Sequence, residues 1–219
     1  MEPQGLTTQQ QLILNCISDS SIAHIFTFSG GTALSSMFLH HRFSEDLDFF
    51  SLEEFDPRML HDFISSLKDT LQYSHFDYRS SFNRHLFFLH FKNREILKLE
   101  FDYYPFPPIQ KGPKYKNIQV DSLIDIAANK LHIMSVKPRS RDYIDLFFIY
   151  NVHHYNLKEL YYQTKQKFDT HIDPVQLGVN LLLFDPSDMS MVHAPPPEKD
   201  IRSFFKTKVK EIESLILTE

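Results

Sequence analysis

Two aspartates, Asp46 and Asp48, are separated by one residue in the segment RFSEDLDFFS, residues 42–51. In a strand, residues i and i+2 point to the same face, with Cα atoms roughly 6.6 Å apart. Two carboxylates at that spacing repel each other unless a cation lies between them, and Mg²⁺ is the ion that usually joins carboxylates to substrate phosphates. Taken alone, the pair is consistent with a metal site or, as is commoner for an isolated Asp-x-Asp, with an exposed acidic strand end.

The neighbours of this pair favour the metal site. Apolar residues at 47, 49 and 50 predict a strand that is buried on one face, and an unpaired charge beside a core is costly. Arg42 and Ser44 add a cation and a hydroxyl group to the same neighbourhood. The later strand EILKLEFDYY, residues 95–104, carries a third carboxylate on its polar face, either Glu100 or Asp102. Together these residues predict metal-dependent phosphoryl or nucleotidyl transfer.

A glycine pair, Gly30-Gly31, lies between a predicted strand at 24–28 and a predicted helix at 32–40. A strand that ends in glycine before a helix lets the backbone approach a ligand closely, with free N–H groups directed at it, and phosphate is the usual occupant. Ordinary turn chemistry is the alternative. Because the segment matches neither GxGxxG nor GxxxxGK[ST], a Rossmann or Walker site is not supported.

The positive charge is concentrated in one segment of an acidic chain. The net charge is −5, yet residues 111–141 contain seven basic and two acidic residues, so this segment is +5 and the rest is −10. A solvated helix face and a phosphate-binding surface are both consistent with such a segment. The basic residues are Lys111, Lys114, Lys116, Lys130, Lys137, Arg139 and Arg141.

The hydrophobic periodicity divides the chain into a mixed α/β half and a helical half. Strands are predicted at 24–28, 47–50, 75–81, 85–92 and 95–104, with helices at 6–18, 32–40 and 56–71. Prolines and a glycine interrupt regular structure between 105 and 113, and helical periodicity follows. We therefore expect one domain over residues 1–110 and a helical subdomain over 111–219.

Two classes of protein are not supported by the sequence. No basic leader and no run of 18 apolar residues is present, so we expect a cytoplasmic protein that does not span a membrane. The twelve histidines form no H-E-x-x-H motif and no cluster with cysteine, so no zinc site is predicted.

Several segments resemble the AbiEii/AbiGii-type nucleotidyltransferases, the toxin halves of bacterial toxin–antitoxin and abortive-infection systems. GGTAL at 30–34 and RFSEDLDFF at 42–50 look like the signature of this family. ANKLH at 128–132 and RDYIDL at 141–146 are similar to its lysine helix and its Arg-Asp-x-x-Asp helix. The resemblance covers roughly residues 25 to 150, and two separate motifs in the right order make it specific.

The resemblance implies an α+β fold of the polymerase-β-like nucleotidyltransferase type: a mixed β-sheet flanked by helices, with a helical C-terminal subdomain that completes the active site. In this family the glycine turn binds the triphosphate, which implies nucleotide binding at Gly30, Gly31 and Thr32. The DxD motif binds Mg²⁺, which implies metal binding by Asp46 and Asp48.

The remaining roles also follow from the resemblance. Glu100 would assist as a third metal ligand or as the base, and it is favoured over Asp102 because it follows Lys98-Leu99. Lys130 would contact the triphosphate or the pyrophosphate leaving group. Arg141 and Asp142 would complete the pocket. Arg42 and Ser44 would brace the acidic strand or contact phosphate. Asp145 could be catalytic or could form an i,i+4 salt bridge with Arg141.

The activity implied is Mg²⁺-dependent transfer of NMP from an NTP to an acceptor, with RNA such as a tRNA 3′ end as the best candidate. The protein would be a toxin that is neutralised by a cognate antitoxin. Two departures from the family pattern are a glutamate at 100 and Lys137 in place of an arginine. A catalytically inactive protein that binds nucleotide or a partner, and a transferase with a small-molecule or protein acceptor, are the alternatives.

Overall fold

The computed structural model describes residues 2–216, so 217–219 of the predicted subdomain lie outside it. The chain divides into two compact units. The sheet unit comprises Met1–His40, Ser44–Pro107 and Lys111–Asp121, and the helical unit comprises His41–Phe43, Pro108–Gln110 and Ser122–Glu219. Residues 111–121 group with the sheet unit, and the predicted domain boundary after residue 110 stays a prediction.

Within the described residues, the sheet unit contains one mixed sheet of seven strands in the order β3-β4-β5-β2-β1-β7-β6. The pairs β2–β5 and β1–β7 are parallel and the other pairs are antiparallel. The strands are β1 Thr27–Ser29, β2 Leu47–Ser51, β3 His75–Ser81, β4 Arg84–His90, β5 Ile96–Tyr103, β6 Lys114–Tyr115 and β7 Ile118–Val120.

Helices flank this sheet and form the helical unit. The sheet unit contains α1 Thr8–Ser18, α2 Gly30–Leu34, α3 Pro57–Ser66 and α4 Lys68–Leu71, and α2 continues as a π-helical turn, Ser35–Leu39. The helical unit contains α5 Leu123–Val136, α6 Ser140–His153, α7 Leu157–Phe168, α8 Pro174–Leu182 and α9 Glu198–Ile216. None of the described helices combines the length and apolar composition needed to cross a bilayer.

Three details of the predicted secondary structure differ from the structure. The strand predicted at 24–28 begins only at Thr27, because Ser21–His24 form a 3₁₀ turn with a local hydrogen bond from Ile25 to Ile22. The helix predicted at 56–71 is interrupted at Leu67. Strands β6 and β7 were not predicted, since two or three residues in a proline-rich stretch are too few to show a periodicity.

The two faces of the central sheet have different chemistry because side chains alternate along each strand. In β2 the residues at 47, 49 and 51 are buried, and those at 48 and 50 are half-buried. Phe49 and Phe101 stack with ring centroids 5.1 Å apart on the apolar face, and Phe87 contacts Phe101 edge-on. The polar face of the same strands therefore carries Asp48 and Glu100.

Gly30 joins the polar face to the turn that precedes α2. Its φ is +74°, and a Cβ atom at this position would lie 1.9 Å from Oδ2 of Asp48. The contact follows from the β1–β2 register, which pairs Ser29 with Asp48. Both the backbone conformation and the space therefore require glycine at position 30.

Gly30→Ala should lower the free energy of unfolding by roughly 2–4 kcal/mol, since left-handed backbone strain and a forced displacement of Asp48 add together. Gly5→Ala is the matched control, because Gly5 has φ +71° and no heavy atom within 4 Å of the added Cβ. Urea denaturation of both variants separates strain from steric conflict. Equal losses in the two variants would contradict the predicted contact with Asp48.

Candidate active site

Side chains from α1 and α2 hold the segment that leads into β2. The amide of Gln10 donates to the carbonyl oxygens of Ser44 and Glu45, at 2.8 and 3.0 Å. Thr32 Oγ1 lies 2.8 Å from the hydroxyl oxygen of Ser44 and hydrogen-bonds to the carbonyl oxygen of Asp46. The predicted residues Thr32 and Ser44 thus connect the glycine turn to the acidic strand through their side chains.

Four carboxylates, Asp46, Asp48, Glu100 and Asp102, lie on one face of the sheet. Asp48 is the Cα partner of Glu100 in the parallel pair β2–β5. Asp46 immediately precedes β2, and it shares the ammonium of Lys98 with Glu100. Asp102 is the Cα partner of Phe50, two residues further along β5 than Glu100. The register therefore places Glu100, rather than Asp102, directly beside the Asp46-x-Asp48 motif.

Two cations accompany these carboxylates. Lys98 Nζ lies 2.9 Å from Oδ2 of Asp46 and 3.0 Å from Oε2 of Glu100. Arg84 Nε donates to Oε1 of Glu100 at 2.7 Å. Neither role was predicted, although the alternation of β5 already places Lys98 on the face of Glu100. The polar face is therefore a network of alternating charges, which offsets the repulsion between its carboxylates.

This network keeps Glu100 ionised. Burial by itself would raise the pKa of Glu100, but Lys98 and Arg84 outweigh burial and lower it. Burial would likewise lower the pKa of Lys98, and the charges of Glu100 and Asp46 raise it instead. Asp102 behaves differently, because burial and the charge of Glu100 raise its pKa to about 8. At neutral pH Glu100 is therefore the charged member of the two, and Asp102 is mostly protonated.

The donor atoms on this face fit a hard divalent cation such as Mg²⁺, which prefers carboxylate oxygen ligands. Asp46, Asp48 and Glu100 supply only oxygen, and Lys98 already lies between Asp46 and Glu100 as a shared cation. Their ligand atoms are not all within 4.8 Å of one another. The residues that would hold the ion are Asp46 and Asp48, which leaves Glu100 with its two cationic partners.

The helical unit contains a second, more buried ionic cluster. Lys130 Nζ lies 2.8 Å from Oδ1 of Asp142 and 2.7 Å from Oδ2 of Asp145, and Lys130 is only 5% exposed. Arg42 Nε and Nη2 donate to the two oxygens of Asp145 at 2.6 and 2.9 Å. His41 Nε2 lies 2.8 Å from Asp145 Oδ1. This cluster connects α5, α6 and the 41–43 segment.

The charges of this cluster stabilise one another. Burial would raise the pKa of Asp145, but Lys130 and Arg42 hold it well below its ordinary value. The pKa of Asp142 is also lowered, because Lys130 and the nearby Arg139 outweigh burial. Both carboxylates are therefore ionised at neutral pH.

Lys130, Arg42 and Arg141, which were predicted to bind nucleotide, lie in the helical unit. The ammonium of Lys130 is occupied by two carboxylates, and its contact with nucleotide stays a prediction. Arg42 is 1% exposed and pairs with Asp145, and its predicted role in bracing the acidic strand or contacting phosphate stays a prediction. The backbone N–H of Arg141 donates to Asp188. The alternative salt bridge from Arg141 to Asp145 is wrong, because Asp145 is paired with Arg42, Lys130 and His41.

The predicted basic segment at 111–141 is not a continuous cationic surface. Lys130 is buried in the ionic cluster, and Arg139 Nε lies 2.9 Å from Oδ2 of Asp142. Two of its seven positive charges therefore balance carboxylates of the helical unit. These two residues therefore do not add free positive charge to a phosphate-binding surface.

Arg42→Met should lower the free energy of unfolding by about 3–5 kcal/mol, because it removes one partner from a buried ion pair. Arg58→Met is the control, since the Arg58 side chain is 89% exposed beside Asp56 and its loss should leave stability unchanged. Chemical denaturation at neutral pH measures both variants. Similar stability of the two variants would show that the Arg42–Asp145 pair contributes little.

The same cluster predicts a loss of stability in acid. Because the folded state lowers the pKa of Asp145 and Asp142, their stabilisation is complete above the unfolded pKa of about 4 and is lost as pH falls below it. Asp145→Asn should therefore reduce stability at neutral pH and flatten the acid dependence. Chemical denaturation at several pH values from about 3 to 7 measures the free energy of unfolding of the wild type and of Asp145→Asn. The same pH dependence in both proteins would contradict the prediction.

Comparison with known proteins assigns a family to this arrangement. The family described as nucleotidyl transferase AbiEii toxin, Type IV TA system, matches residues 12–213. Uncharacterized protein aq_aa25 from Aquifex aeolicus (strain VF5) is 29% identical over 211 residues, which cover 94% of this chain and 97% of that protein.

Two crystal structures share the fold. JHP933 from Helicobacter pylori is 19% identical with a TM-score of 0.60, over 96% of this chain and 93% of that chain. A candidate nucleotidyltransferase from H. pylori is also 19% identical with a TM-score of 0.61, over 96% and 99%. The family match and this shared α+β fold agree with the predicted fold class. The chain belongs to the AbiEii toxin family and is a nucleotidyltransferase.

Proposed function

We propose that this protein is a Mg²⁺-dependent enzyme that transfers NMP from an NTP to an RNA acceptor, with tRNA 3′ ends as the best candidate. It would act as the toxin of a toxin–antitoxin pair and would be neutralised by a cognate antitoxin. The family membership supports nucleotidyl transfer and the toxin role. The use of Mg²⁺, the position of the nucleotide site and the RNA acceptor are proposed here.

The observation that carries the proposal is the contact between Asp48 and the glycine turn. A Cβ on Gly30 would overlap the carboxylate of Asp48, so the turn and the acidic strand meet with no side chain between them. Backbone N–H groups at a glycine turn before a helix suit phosphate, and carboxylates suit a divalent cation that also binds phosphate. Their direct contact supports a single site for a metal-bound nucleotide.

Asp46 and Asp48 would hold Mg²⁺, which when bound supplies positive charge to the oxygens of the reacting phosphate. Gly30, Gly31 and the start of α2 would bind the triphosphate through backbone N–H groups. Thr32 and Ser44 would keep the turn and β2 together, as their hydrogen bonds indicate. Lys98 and Arg84 lower the pKa of Glu100 and keep it ionised, so it would be a weak general base. Its negative charge would instead contribute to binding the metal ion.

In the proposed reaction, an acceptor hydroxyl oxygen forms a bond to the α-phosphorus of the NTP. The bond from that phosphorus to the bridging oxygen of the β-phosphate breaks, and pyrophosphate leaves. The proton of the hydroxyl group is released to solvent or to a nearby carboxylate. Lys130, Arg141 and Asp142 of the helical unit remain predicted participants on the strength of the resemblance.

The test is incubation of the purified protein with each labelled NTP, Mg²⁺ and total RNA. Asp46→Asn and Asp48→Asn should each reduce labelling of RNA at least about 100-fold, because each removes a charge that would hold the ion. Asp62→Asn, at an exposed position on α3, is the matched control and should label RNA like the wild type.

Equal labelling by the wild type and Asp46→Asn would overturn the proposed metal site. Label in protein or in a small molecule, with none in RNA, would replace the RNA acceptor with one of the alternatives. NTP binding without transfer to any acceptor would favour an inactive nucleotide-binding protein. Growth arrest by the wild type but not by Asp46→Asn, relieved by a neighbouring gene, tests the toxin role.

A further inference from the structure

A second cluster of potential metal ligands lies on β3 and β4, at the edge of the sheet. The antiparallel register places His75 directly opposite His90, and Asp77 follows His75 by two residues, so all three side chains share one face. His75 and Asp77 are exposed and His90 is half-buried. A dissolved ion could therefore reach these side chains without rearrangement of the core.

The three side chains are already close to one another. His90 Nε2 lies 2.9 Å from Oδ2 of Asp77, and the rings of His75 and His90 stack with centroids 4.4 Å apart and planes 6° apart. One potential ligand atom from each residue lies within 4.8 Å of the other two. Within residues 2–216, no other group of three His, Cys, Asp or Glu side chains meets this criterion.

The donor set differs from that of the acidic face. Two imidazole nitrogens and one carboxylate oxygen suit Zn²⁺ and its transition-metal neighbours, whereas Mg²⁺ prefers oxygen ligands only. Three protein ligands with an exposed fourth position match a zinc site that retains a water molecule. Ser74 Oγ lies 3.1 Å from Nδ1 of His75, so the hydroxyl group can orient that ring and leave Nε2 to bind metal.

The cluster is separate from the acidic residues of the candidate active site. Along the strand register, Asp77 pairs with Phe88 and Phe88 pairs with Lys98, so these two residues lie between Asp77 and Asp46. Arg79 stacks over Phe88 at 5.0 Å and adds a positive charge on the same hairpin. An ion at His75, Asp77 and His90 would therefore not share ligands with one at Asp46 and Asp48.

We propose that His75, Asp77 and His90 bind one divalent transition-metal ion, with Zn²⁺ the best match. The ion joins the edge strand β3 to β4 and adds a cross-strand link to the hairpin. This site is independent of the proposed transfer reaction.

Titration calorimetry of the full-length, metal-free protein with Zn²⁺ in the presence of saturating Mg²⁺ tests the proposal. The wild type should bind one Zn²⁺ per chain. His75→Gln and Asp77→Asn should each weaken binding by about tenfold or more, since each removes one of three ligands. His24→Gln, at an exposed histidine of the same unit, and Asp46→Asn should bind Zn²⁺ like the wild type.

Thermal unfolding with and without Zn²⁺ gives a second readout, because an ion that binds only the folded state raises the unfolding temperature. The increase should occur in the wild type, His24→Gln and Asp46→Asn, and should be lost in His75→Gln and Asp77→Asn. Circular dichroism without metal confirms that each variant is folded. No stoichiometric Zn²⁺ binding by the wild type, or equal binding by His75→Gln and Asp77→Asn, would overturn the proposal. Loss of binding in Asp46→Asn would place the ion at the acidic face instead.

Discussion

The close approach of Gly30 to Asp48 is the constraint on which the candidate active site depends. The β1–β2 register brings Asp48 opposite Ser29, and the missing side chain at Gly30 allows the carboxylate to lie against the turn. A shift of the register by one residue would move Asp48 to the apolar face. The stacked Phe49 and Phe101 oppose such a shift, because it would expose them on the polar face. Packing on one face therefore fixes the chemistry on the other.

Charge compensation is the second requirement of this fold. In each unit, carboxylates that are shielded from water form ion pairs with basic side chains. These are Lys98 and Arg84 in the sheet unit, and Lys130 and Arg42 in the helical unit. Buried pairs of this kind contribute little net stability, yet removal of one partner leaves a charge that water cannot reach. The clusters therefore act mainly by determining which elements pack together, and they add little to the free energy of unfolding.

The two units use such clusters differently. In the sheet unit Asp46 and Lys98 are each about one quarter exposed, so solvent reaches their ion pair. In the helical unit the side chains of Asp142 and Asp145 are completely buried, and their pairs with Lys130 connect α5 to α6. The two clusters thus differ in solvent exposure although both contain aspartate and lysine.

Features that depend on local periodicity and turn chemistry could be predicted from the amino-acid sequence alone. Alternation placed Asp46 and Asp48 on one strand face, the glycine pair marked the turn, and the motif order indicated the family and its α+β fold. The sequence could not identify the cation partners, because Arg42 and Asp145 are 103 residues apart. The burial of Lys130 and the proximity of His75, Asp77 and His90 are visible only in three dimensions. Strand register and burial arise from packing over the whole unit, so no local sequence pattern encodes them.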